Sequence, residues 1–449
     1  MKRLYLILES KKRELDSRLL FASKYANDGW SVVIGKKYSI YKYSQYYKRG
    51  IIFFKGTGPK NLEPMIKLKK LGNKIISFDE EGLGISSDDE ILHRVYKKCL
   101  DQVSYFFSWG RNNKKQILSK YPGEDDKIIP CGNMRLDLLK ANYRKFFQQE
   151  VDSIKKKHGK FVLLATKFTN ANSFDFVKSM TPHSNFYRKE IDFQNLTFDK
   201  YKEFLKYFSN KNINVKLIIR PHPLELRSTW TEIAKRYPNV LIAEDKMSTN
   251  SWILASEFIV STNCHTTLDA YLLQKPAINF LPIKENYVEQ PFFSKISTEI
   301  NHQEELSNLI NDWFLNKNKF SNIITKTTEL EIDDYLGNHK SCMIDEVKPY
   351  IESTFRNIIN NEDKKTSRLF FAVFKMIRKV SNLKNYILGG KKVRNFNKLA
   401  KVKIDNLSIK EMRAKIDVIS EVLNIDKLDI KELYPGCFLI KKYDKKYIS

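Results

Sequence analysis

The stretch "LYLILESKKRELDSRLLFASKYANDGWSVVIG", residues 4–35, decides the fold at the start of the chain. It begins with five apolar residues, continues with a helical pattern through Leu15, Leu19 and Tyr25, and ends with a second short apolar run. A strand, a helix and a strand in this order predict a parallel pair of strands with the helix on one face. We therefore expect the chain to begin with an α/β domain.

The same alternation continues for most of the chain. Further apolar runs are "GIIFF" (50–54), "KIISF" (74–78), "VSYFFS" (103–108), "FVLLAT" (161–166), "VKLIIR" (215–220), "NVLIAE" (239–244), "EFIVST" (257–262) and "PAINF" (276–280). Helical segments separate them, among them residues 198–208 and 268–273, and a charged stretch at residues 142–160 interrupts the series. This pattern predicts parallel sheets covered by helices on both faces. Such sheets bind ligands at the carboxyl ends of their strands.

We predict an α/β fold with two doubly wound, Rossmann-like domains and a helical, basic C-terminal extension. The length of 449 residues fits two domains, and 42% hydrophobic residues with 13% aromatics fit well-packed cores. The predicted parts are an N-terminal Rossmann-like domain (1–145), a second Rossmann-like domain (156–330), a helical crossover segment (331–363) and the basic amphipathic extension (364–449).

The net charge of +27 favours a polyanionic partner. Nucleic acid, an anionic membrane surface and a phosphorylated substrate all fit this charge. Five scattered cysteines without a CxxC pair predict reduced thiols. The first apolar run is too short for a signal peptide, and no segment reaches the ~20 apolar residues of a membrane span. We therefore expect a cytoplasmic protein whose membrane contact is peripheral.

The strongest shift in composition lies at residues 364–403, which contain 13 Lys or Arg and no Asp or Glu. Within them, "SRLFFAVFKMIRKVSNL" places Phe370, Val373 and Ile377 on one helical stripe with basic residues outside it. A basic amphipathic helix of this type can lie in the headgroup region of an anionic membrane. The alternative is a helix that packs on the second domain and exposes a solvated basic face.

Three acidic residues, Asp79, Glu80 and Glu81, follow the apolar run in "IISFDEEG", and Gly82 ends the stretch. Adjacent carboxylates raise one another's pKa, so one of them could serve as a general base. Gly82 would let the backbone approach a ligand. The alternative is a solvated loop or the acidic cap of a helix.

A second polar stretch is "LIIRPHPLE", residues 217–225, where Arg220 and His222 follow a predicted strand. Pro221 and Pro223 restrict the backbone on both sides of the histidine. An arginine and a histidine at a strand end suit a phosphate group, because both donate hydrogen bonds. The alternative is a capped turn in which the histidine bonds to the backbone.

A third stretch, "EFIVSTNCHTTLDAYLLQKPAINF", begins with a strand that ends at Ser261 and Thr262. Thr266 and Thr267 then open a helix, whose N-terminal hydroxyls and N–H groups could bind an anion. Ordinary helix capping is the alternative. We predict that this helix and the Arg220–His222 turn bind the same nucleotide phosphate.

The remaining motifs carry weaker signals. The "KGTGP" loop (55–59) lacks the spacing of a nucleotide-binding motif, and Asp333 with Asp334 fits a solvated turn. His183, His302 and His339 have no partners at metal-ligand spacing. We therefore predict no metal and no cofactor.

Five motifs together resemble a known family. In order they are "FDEEG" (78–82), "CGNMRLDLL" (131–139), "LLATKFTNAN" (163–172), "RPHP" (220–223) and "STNCHTTLDAYLLQKP" (261–276). Over about residues 1–350 the chain resembles bacterial surface carbohydrate biosynthesis proteins, which look like two-domain GT-B glycosyltransferases. The acid-acid-Gly and His-Pro motifs are similar to those of sialyltransferases, polysialyltransferases and Kdo transferases, which use CMP-activated keto sugars.

The resemblance implies roles for the residues that match its motifs. Glu80 would take the proton of the acceptor hydroxyl, with Glu81 beside it, and His222 would contact the donor phosphate and aid departure of CMP. Thr266 and Thr267 would bind the same phosphate. The predicted substrate-binding residues are Asp79, Gly82, Arg220, Pro223, Ser261, Thr262, Thr266 and Thr267.

The leading prediction is a glycosyltransferase of capsule or lipopolysaccharide synthesis at the cytoplasmic membrane face. Its partners would be a CMP-linked sugar donor, a lipid-linked or growing glycan acceptor, and the anionic membrane. A CDP-glycerol-type phosphotransferase is the alternative enzyme. A nucleic-acid-binding protein would explain the charge, but no aromatic-basic motif supports it, and a non-catalytic scaffold is the fourth possibility.

Overall fold

The computed structural model describes residues 2–46, 49–84, 94–178, 185–212, 214–284, 291–315, 329–358, 395, 407–434 and 436–443. These residues form two compact units. The first unit contains the described residues of 1–138, 328–390 and 403–449, and the second contains those of 139–327 and 391–402. The α/β fold with two doubly wound, largely parallel sheets that the sequence predicts is confirmed.

The strands are short and mostly buried on both faces. They are β1 (Arg3–Leu8), β2 (Ser31–Lys36), β3 (Ile51–Lys55), β4 (Lys74–Phe78), β5 (Tyr105–Ser108), β6 (Ile128–Pro130), β7 (Phe161–Ala165), β8 (Lys216–Arg220), β9 (Val240–Ile242), β10 (Ile259–Ser261), β11 (Ala277–Phe280), β12 (Thr298–Ile300), β13 (Leu428–Tyr434) and β14 (Cys437–Lys442). Because helices cover both faces of such sheets, the parallel strands are nearly continuous apolar runs.

The α-helices alternate with the strands through both units. They are α1 (Lys11–Asn27), α2 (Lys37–Tyr46), α3 (Leu62–Lys70), α4 (Lys97–Leu100), α5 (Arg111–Lys120), α6 (Met134–Asp137), α7 (Gln148–His158), α8 (Asp175–Lys178), α9 (Asn185–Lys211), α10 (Arg227–Ala234), α11 (Thr249–Ala255), α12 (His265–Leu272), α13 (Pro291–Lys295), α14 (Gln303–Leu315), α15 (Glu329–Leu336), α16 (Met343–Glu346), α17 (Lys348–Arg356) and α18 (Ile409–Leu423).

The sheet of the first unit has the order β13-β14-β2-β1-β3-β4-β5-β6. Strands β1 to β6 are parallel, whereas β14 pairs antiparallel with β2 and β13 pairs antiparallel with β14. The chain order reverses between β1 and β3, so the carboxyl ends of these strands open the crevice where such sheets bind ligands.

The sheet of the second unit is fully parallel, with the order β12-β11-β10-β7-β8-β9. Counted from β7 as its first strand, this is the 3-2-1-4-5-6 order of dinucleotide-binding folds. The reversal lies between β7 and β10, where Leu163 is opposite Ile259. A ligand of this unit is therefore expected beside the ends of β7 and β10.

All ten apolar runs read from the sequence contain strands, whereas β6, β12, β13 and β14 are not among the predicted ones. β6 ends in a proline and β12 contains Thr298 and Glu299, so neither stands out as an apolar run. β13 and β14 extend the first sheet by a hairpin in which Phe438 is opposite Ile34. Their place in the sheet therefore depends on a strand about four hundred residues away in sequence.

Two findings concern the C-terminal part and the thiols. The predicted amphipathic helix at residues 364–403 lies outside the described residues, except for position 395. Among the described helices, none combines the length and the apolar character that a bilayer crossing requires. All five cysteines are buried and unbridged, as the sequence predicts.

Candidate functional site

The acidic loop, residues 79–82, directly follows β4 at the carboxyl edge of the first sheet. Glu80 is 5% exposed, and its Oε1 accepts an ion-paired hydrogen bond from the guanidinium of Arg18, which is 1% exposed. The Arg18 Cζ also lies 4.6 Å from the centre of the Phe78 ring. The other carboxylate oxygen, Oε2, is buried and has no hydrogen-bond partner among the described residues.

Several positive charges surround Glu80. Burial by itself raises the pKa of this carboxyl, but the charges of Arg18, Lys55, Arg13 and Arg135 together bring its pKa below the ordinary value. Glu80 is therefore a carboxylate at neutral pH, and one of its oxygens remains able to accept a hydrogen bond.

Glu81 occupies the outer side of the same loop. Its side chain is 39% exposed and forms an ion pair with Arg13, which is 40% exposed. Both Arg13 and Arg18 belong to α1, so one helix supplies a cation to each of the two glutamates. The outer pair is open to water and contributes little to stability, whereas the buried pair determines where Glu80 lies.

Asp79 connects the loop to the rest of the first unit. Its carboxylate pairs with Arg94 and accepts the backbone N–H of Glu81 at 3.0 Å. Its carbonyl accepts Nε1–H of Trp109 at 2.7 Å and Nδ2–H of Asn133 at 3.2 Å. Burial raises the pKa of Asp79, and the charge of Arg94 offsets only part of that effect.

Gly82 is buried against the same tryptophan. A Cβ atom at this position would lie 2.6 Å from Cδ1 of Trp109 and 3.0 Å from Oδ1 of Asn113. No side chain fits between these groups, because a carbon atom needs more than 3 Å of separation. The glycine therefore allows the loop to pass directly over the indole ring.

Lys55, the first residue of the "KGTGP" stretch, lies in an ionic network beside β1. Its Nζ is 2.6 Å from Oε1 of Glu14 and 3.2 Å from Oε2 of Glu9. Both Lys55 and Glu14 have buried side chains, and the two positive charges of Lys55 and Lys37 lower the pKa of Glu9 against the effect of its burial. This network lies at the β1/β3 reversal of the first sheet.

In the second unit, the turn after β8 is organised by a buried carboxyl. Glu225 accepts the backbone N–H of His222 at 3.0 Å, the hydroxyl of Thr166 at 2.9 Å and Nε1–H of Trp230 at 2.7 Å. Burial raises the pKa of Glu225, while these donors favour its ionised form. The turn around the histidine is thus held from β7, from its own backbone and from α10.

The ring of His222 has a defined orientation. Its Nδ1 accepts the backbone N–H of Leu224 at 3.2 Å, so the hydrogen of the neutral imidazole is on Nε2. The ring is half-buried, and the neighbouring Pro223 is exposed. The contact with Leu224 therefore fixes which ring nitrogen carries the hydrogen.

Arg220 ends β8 and is buried, with only long contacts to its surroundings. Its guanidinium lies 3.5 Å from the carbonyl of Met247 and from the hydroxyl of Thr249, and 3.6 Å from Asp245. Its Nε has no hydrogen-bond partner among the described residues. Burial lowers the pKa of Arg220, although not to a range in which it loses its charge.

The turn after β10 rests on a buried polar network. The hydroxyl of Ser261 lies 2.6 Å from that of Thr267 and donates to Oδ1 of Asn279 at 2.6 Å. Tyr201 of α9 donates to the carbonyls of Ser261 at 3.2 Å and of Phe280 at 2.7 Å. Ser261 and Thr267 are fully buried, so in this structure their hydroxyls support the turn from below.

The outer part of this turn leads into the N-terminus of α12. Asn263 has φ of +50°, which turns the chain sharply into α12. Cys264, the N-cap of α12, provides no side-chain cap, and Thr266 is half-buried in the first turn. Oγ1 of Thr262 is buried without a hydrogen-bond partner among the described residues. This helix terminus therefore retains the capacity to bind an anion.

The predicted residues fall into two sets. Asp79, Glu80, Glu81 and Gly82 form one loop of the first unit, and the others lie at the carboxyl edge of the second sheet, in the turns after β8 and β10 on either side of β7. The supporting residues Arg18, Trp109, Asn133, Glu225 and Asn279 are not predicted. Asn133 and Glu225 lie within quoted motifs, but the sequence assigned them no role.

Asp333 and Asp334 form the acidic pair for which the sequence predicts a solvated turn and no metal. Asp333 lies 2.7 Å from Nδ1 of His339, and Asp334 lies 2.6 Å from Nε of Arg111. The described part of the chain contains no cluster of three or more side chains that could hold a metal ion.

Comparison with known proteins identifies the fold. No protein-family model matches the chain, and no curated protein matches it. The UDP-GlcNAc 2-epimerase of Methanocaldococcus jannaschii, in complex with UDP-GlcNAc and UDP, is similar with a TM-score of 0.51 and 15% identity, over 79% of this chain and 100% of that chain. The UDP-GlcNAc 2-epimerase of Neisseria meningitidis, bound to UDP-GlcNAc, has a TM-score of 0.50 and 11% identity, over 79% and 100%.

A polymerase has a similar structure. The wall teichoic acid polymerase TagF, soaked with CDPG, is similar with a TM-score of 0.52 and 12% identity, over 80% of this chain and 90% of that chain. At these identities the similarity establishes a GT-B-like fold of two Rossmann-like units, in agreement with the prediction from sequence.

Proposed function

We propose that this protein is a glycosyltransferase of surface polysaccharide synthesis that uses a CMP-activated keto sugar. The acceptor is a hydroxyl group of a growing glycan at the cytoplasmic face of the membrane. Glu80 is the general base, with Glu81 beside it, and His222 and the N-terminus of α12 bind the phosphate of the donor. The motifs that resemble sialyltransferases and Kdo transferases support the choice of donor.

The observation that carries this proposal is that Oε2 of Glu80 is buried and has no hydrogen-bond partner among the described residues. Buried polar atoms in folded proteins are nearly always hydrogen-bonded, and an exception calls for an explanation. An ionised carboxylate only accepts hydrogen bonds, so its missing partner is a donor such as a hydroxyl group. Arg18 holds the other oxygen, which leaves Oε2 as the atom that would receive the proton.

The proposed reaction balances without a further reactant. The acceptor oxygen forms a bond to the anomeric carbon, its proton passes to Oε2 of Glu80, and the bond between that carbon and the phosphate oxygen breaks. CMP departs with the bonding electrons, and Glu80 later returns its proton to water. A base for the acceptor and a separate site for the leaving phosphate favour inversion at the anomeric carbon.

The leaving phosphate gains negative charge as its bond to the sugar breaks. Preorganised donors stabilise such charge most effectively, because they need no reorganisation during the reaction. Nε2–H of His222 and the N-terminus of α12 would act as donors of this kind. Arg220 contributes positive charge at the end of β8, and its Nε is an unused donor.

A second candidate is a CDP-glycerol-type phosphotransferase, which the likeness to TagF favours. In that reaction the acceptor hydroxyl attacks phosphorus, and a cytidine nucleotide departs. Glu80 would again take the proton, and His222 and α12 would again bind phosphate. The two candidates therefore differ in the donor and not in the roles of these residues.

Nucleotide binding tests the class of donor. The full-length protein is heated with CMP, CDP, UDP or GDP, and the same series is run on His222→Ala. His302→Ala is the matched control, because His302 is an exposed histidine of the same unit outside both turns. We expect CMP to raise the melting temperature of the wild type and of the control, and not that of His222→Ala. A response to UDP alone would contradict the CMP donor.

Turnover tests the reaction itself. The protein is incubated with CMP-activated keto sugars, CDP-glycerol or UDP-GlcNAc, each with glycan acceptors, and release of the nucleotide is measured. Release of CMP from a CMP-activated keto sugar that disappears in Glu80→Gln supports the transferase. Acceptor-dependent release from CDP-glycerol supports the second candidate, and a folded Glu80→Gln variant with wild-type turnover would remove Glu80 from the mechanism.

A further inference from the structure

The carbonyl of Asp79 is held by two buried side chains from neighbouring strands. Trp109 follows β5 directly and donates from Nε1 at 2.7 Å, and Asn133 lies just beyond β6 and donates from Nδ2 at 3.2 Å. Trp109 is fully buried, and Asn133 is 1% exposed. The acidic loop after β4 is thus hydrogen-bonded to the ends of the next two strands of the sheet.

The amide of Asn133 makes two hydrogen bonds that define its orientation. Its Oδ1 accepts the backbone N–H of Arg135 at 2.9 Å and so caps α6, while Nδ2 donates to Asp79. Replacing the nitrogen by oxygen would keep the cap and abolish the donor. The motif "CGNMRLD" therefore contains a residue that links the start of α6 to the acidic loop.

Glycines beside these two residues contact a segment that enters the first unit late in the chain. We call residues 329–346, which include α15 and α16, the return segment. A Cβ on Gly110 would lie 2.4 Å from the carbonyl oxygen of Asp334, and a Cβ on Gly132 would lie 2.6 Å from that of Leu336. The end of α15 therefore packs against the backbone of both turns that provide the donors.

A carboxylate fixes the return segment at a second point. Asp137, the last residue of α6, accepts the backbone N–H groups of Met343 and Ile344, both at 2.9 Å. These are the first two residues of α16, where free N–H groups need a partner. Gly337, with φ of +68°, lies between the two points, and a Cβ there would lie 2.7 Å from the nitrogen of Gly132.

We propose that Trp109 and Asn133 are positioning residues for the acidic loop, and that the docked return segment holds them in place. Their catalytic importance rests on the proposed function, in which Glu80 is the base. A base displaced by even an ångström loses much of its effect, so side chains that fix a loop affect the reaction without contacting the substrate.

Hydrogen exchange tests the first step without any assay of activity. The reporter is the amide of Glu81, which donates to Asp79 within the loop. Trp109→Phe removes one donor, and Asn133→Asp removes the other while it keeps the cap. Trp30→Phe is the matched control, because Trp30 is also buried in the first unit but its Nε1 has no hydrogen-bond partner among the described residues.

We expect both test variants to exchange the Glu81 amide about two- to ten-fold faster than the wild type, the range for one lost hydrogen bond. The Trp30→Phe control should leave this amide unchanged. Wild-type exchange in both test variants, with the overall melting temperature preserved, would overturn the positioning role. The CMP response of the wild type is measured separately, so failure of the proposed function is recognised independently.

The second step concerns the return segment. Asp137→Asn keeps the size of the side chain and weakens both bonds to α16, and Gly337→Ala introduces the close contact with Gly132. We expect faster exchange in residues 329–346 and, in parallel, at the Glu81 amide. Should Gly337→Ala fail to fold, Asp137→Asn alone decides. Faster exchange confined to residues 329–346 would show that the segment does not hold the loop.

Discussion

Arg18 of α1 and Glu80 after β4 form an ion pair that is almost completely removed from water. The guanidinium also packs over the ring of Phe78, which ends the strand that precedes Glu80. One carboxylate oxygen is thereby engaged, and the other has no hydrogen-bond partner in the part of the chain that the structure describes. This pair connects the stability of the first unit with the group to which we assign the chemistry.

We expect Arg18→Met to destabilise the protein by about 3–5 kcal/mol, because it leaves a buried carboxylate without its partner. Replacing both partners, as in Arg18→Met with Glu80→Leu, should recover much of this loss. Urea denaturation of the two variants measures the difference. Lys200→Met is the control, since its pair with Glu203 is exposed and worth at most ~0.5 kcal/mol. A double variant no more stable than Arg18→Met would contradict the pairing.

The pKa of Glu80 predicts how this stabilisation depends on pH. A carboxyl whose folded pKa is lowered contributes stability above its unfolded pKa of ~4.3 and loses it as pH falls through the folded value. Glu80→Gln mimics the protonated form. The difference in free energy of unfolding between wild type and Glu80→Gln should therefore stay constant from about pH 6 to 8 and shrink below about pH 4. A difference that grows on acidification would have the wrong sign.

Glu225 should be essential for the turn that carries His222. In Glu225→Gln one oxygen becomes an NH2 group that faces a donor, so we expect a loss of about 1–3 kcal/mol of stability. The same variant should weaken stabilisation by CMP, because either the N–H of His222 or Nε1–H of Trp230 loses its acceptor and both bonds hold the turn. Glu232→Gln, at an exposed position of the next helix, serves as the control. Equal stabilities of the two variants would refute the role of Glu225.

Gly82→Ala tests the close passage of the acidic loop over Trp109. The added Cβ meets a fully buried ring that has little room to move, and overpacking of this kind costs about 1–3 kcal/mol. Glu81→Ala in the same loop should change stability by less than about 0.5 kcal/mol, because its ion pair is open to water. Thermal denaturation of both variants measures these losses. A Gly82→Ala variant as stable as the wild type would contradict the close contact between the loop and Trp109.

Asn263 offers a test of backbone strain at the start of α12. Its φ is +50°, and its Oδ1 has no hydrogen-bond partner among the described residues. Asn263→Ala should lose about 1 kcal/mol, since alanine avoids the left-handed region, whereas Asn263→Gly should match or exceed the wild type. Alanine and glycine variants of equal stability would mean that the residue does not hold this conformation in solution.

The strands of both sheets could be predicted because parallel sheets bury both faces of each strand. Runs such as "YLIL" and "LIIR" are therefore apolar without interruption, and polar residues mark where each run ends. The short strands β6 and β12 and the hairpin of β13 and β14 escaped prediction. β6 and β12 contain no apolar run longer than two residues, and β14 pairs with β2, a strand about four hundred residues away in sequence.

The candidate site shows a similar division. Asp79, Glu80, Gly82, Arg220 and His222 could be selected as candidates because each lies at or just beyond the end of a recognisable strand, and strand ends are where such folds bind ligands. Arg18, Trp109, Asn133 and Glu225 act through partners on other elements. Residues of the same types also occur at many positions that have no role in the candidate site, so residue type alone does not identify these four.

The sequence by itself determined the α/β class, the two doubly wound sheets and the stretches in which the polar candidates lie, because these depend on local periodicity and on strand ends. Only the tertiary structure decided that Glu80 is paired and buried while Glu81 faces water, and that Ser261 and Thr267 turn inward. Ion pairs, burial and hydrogen bonds depend on distances between elements. Those distances exist only once the chain has folded.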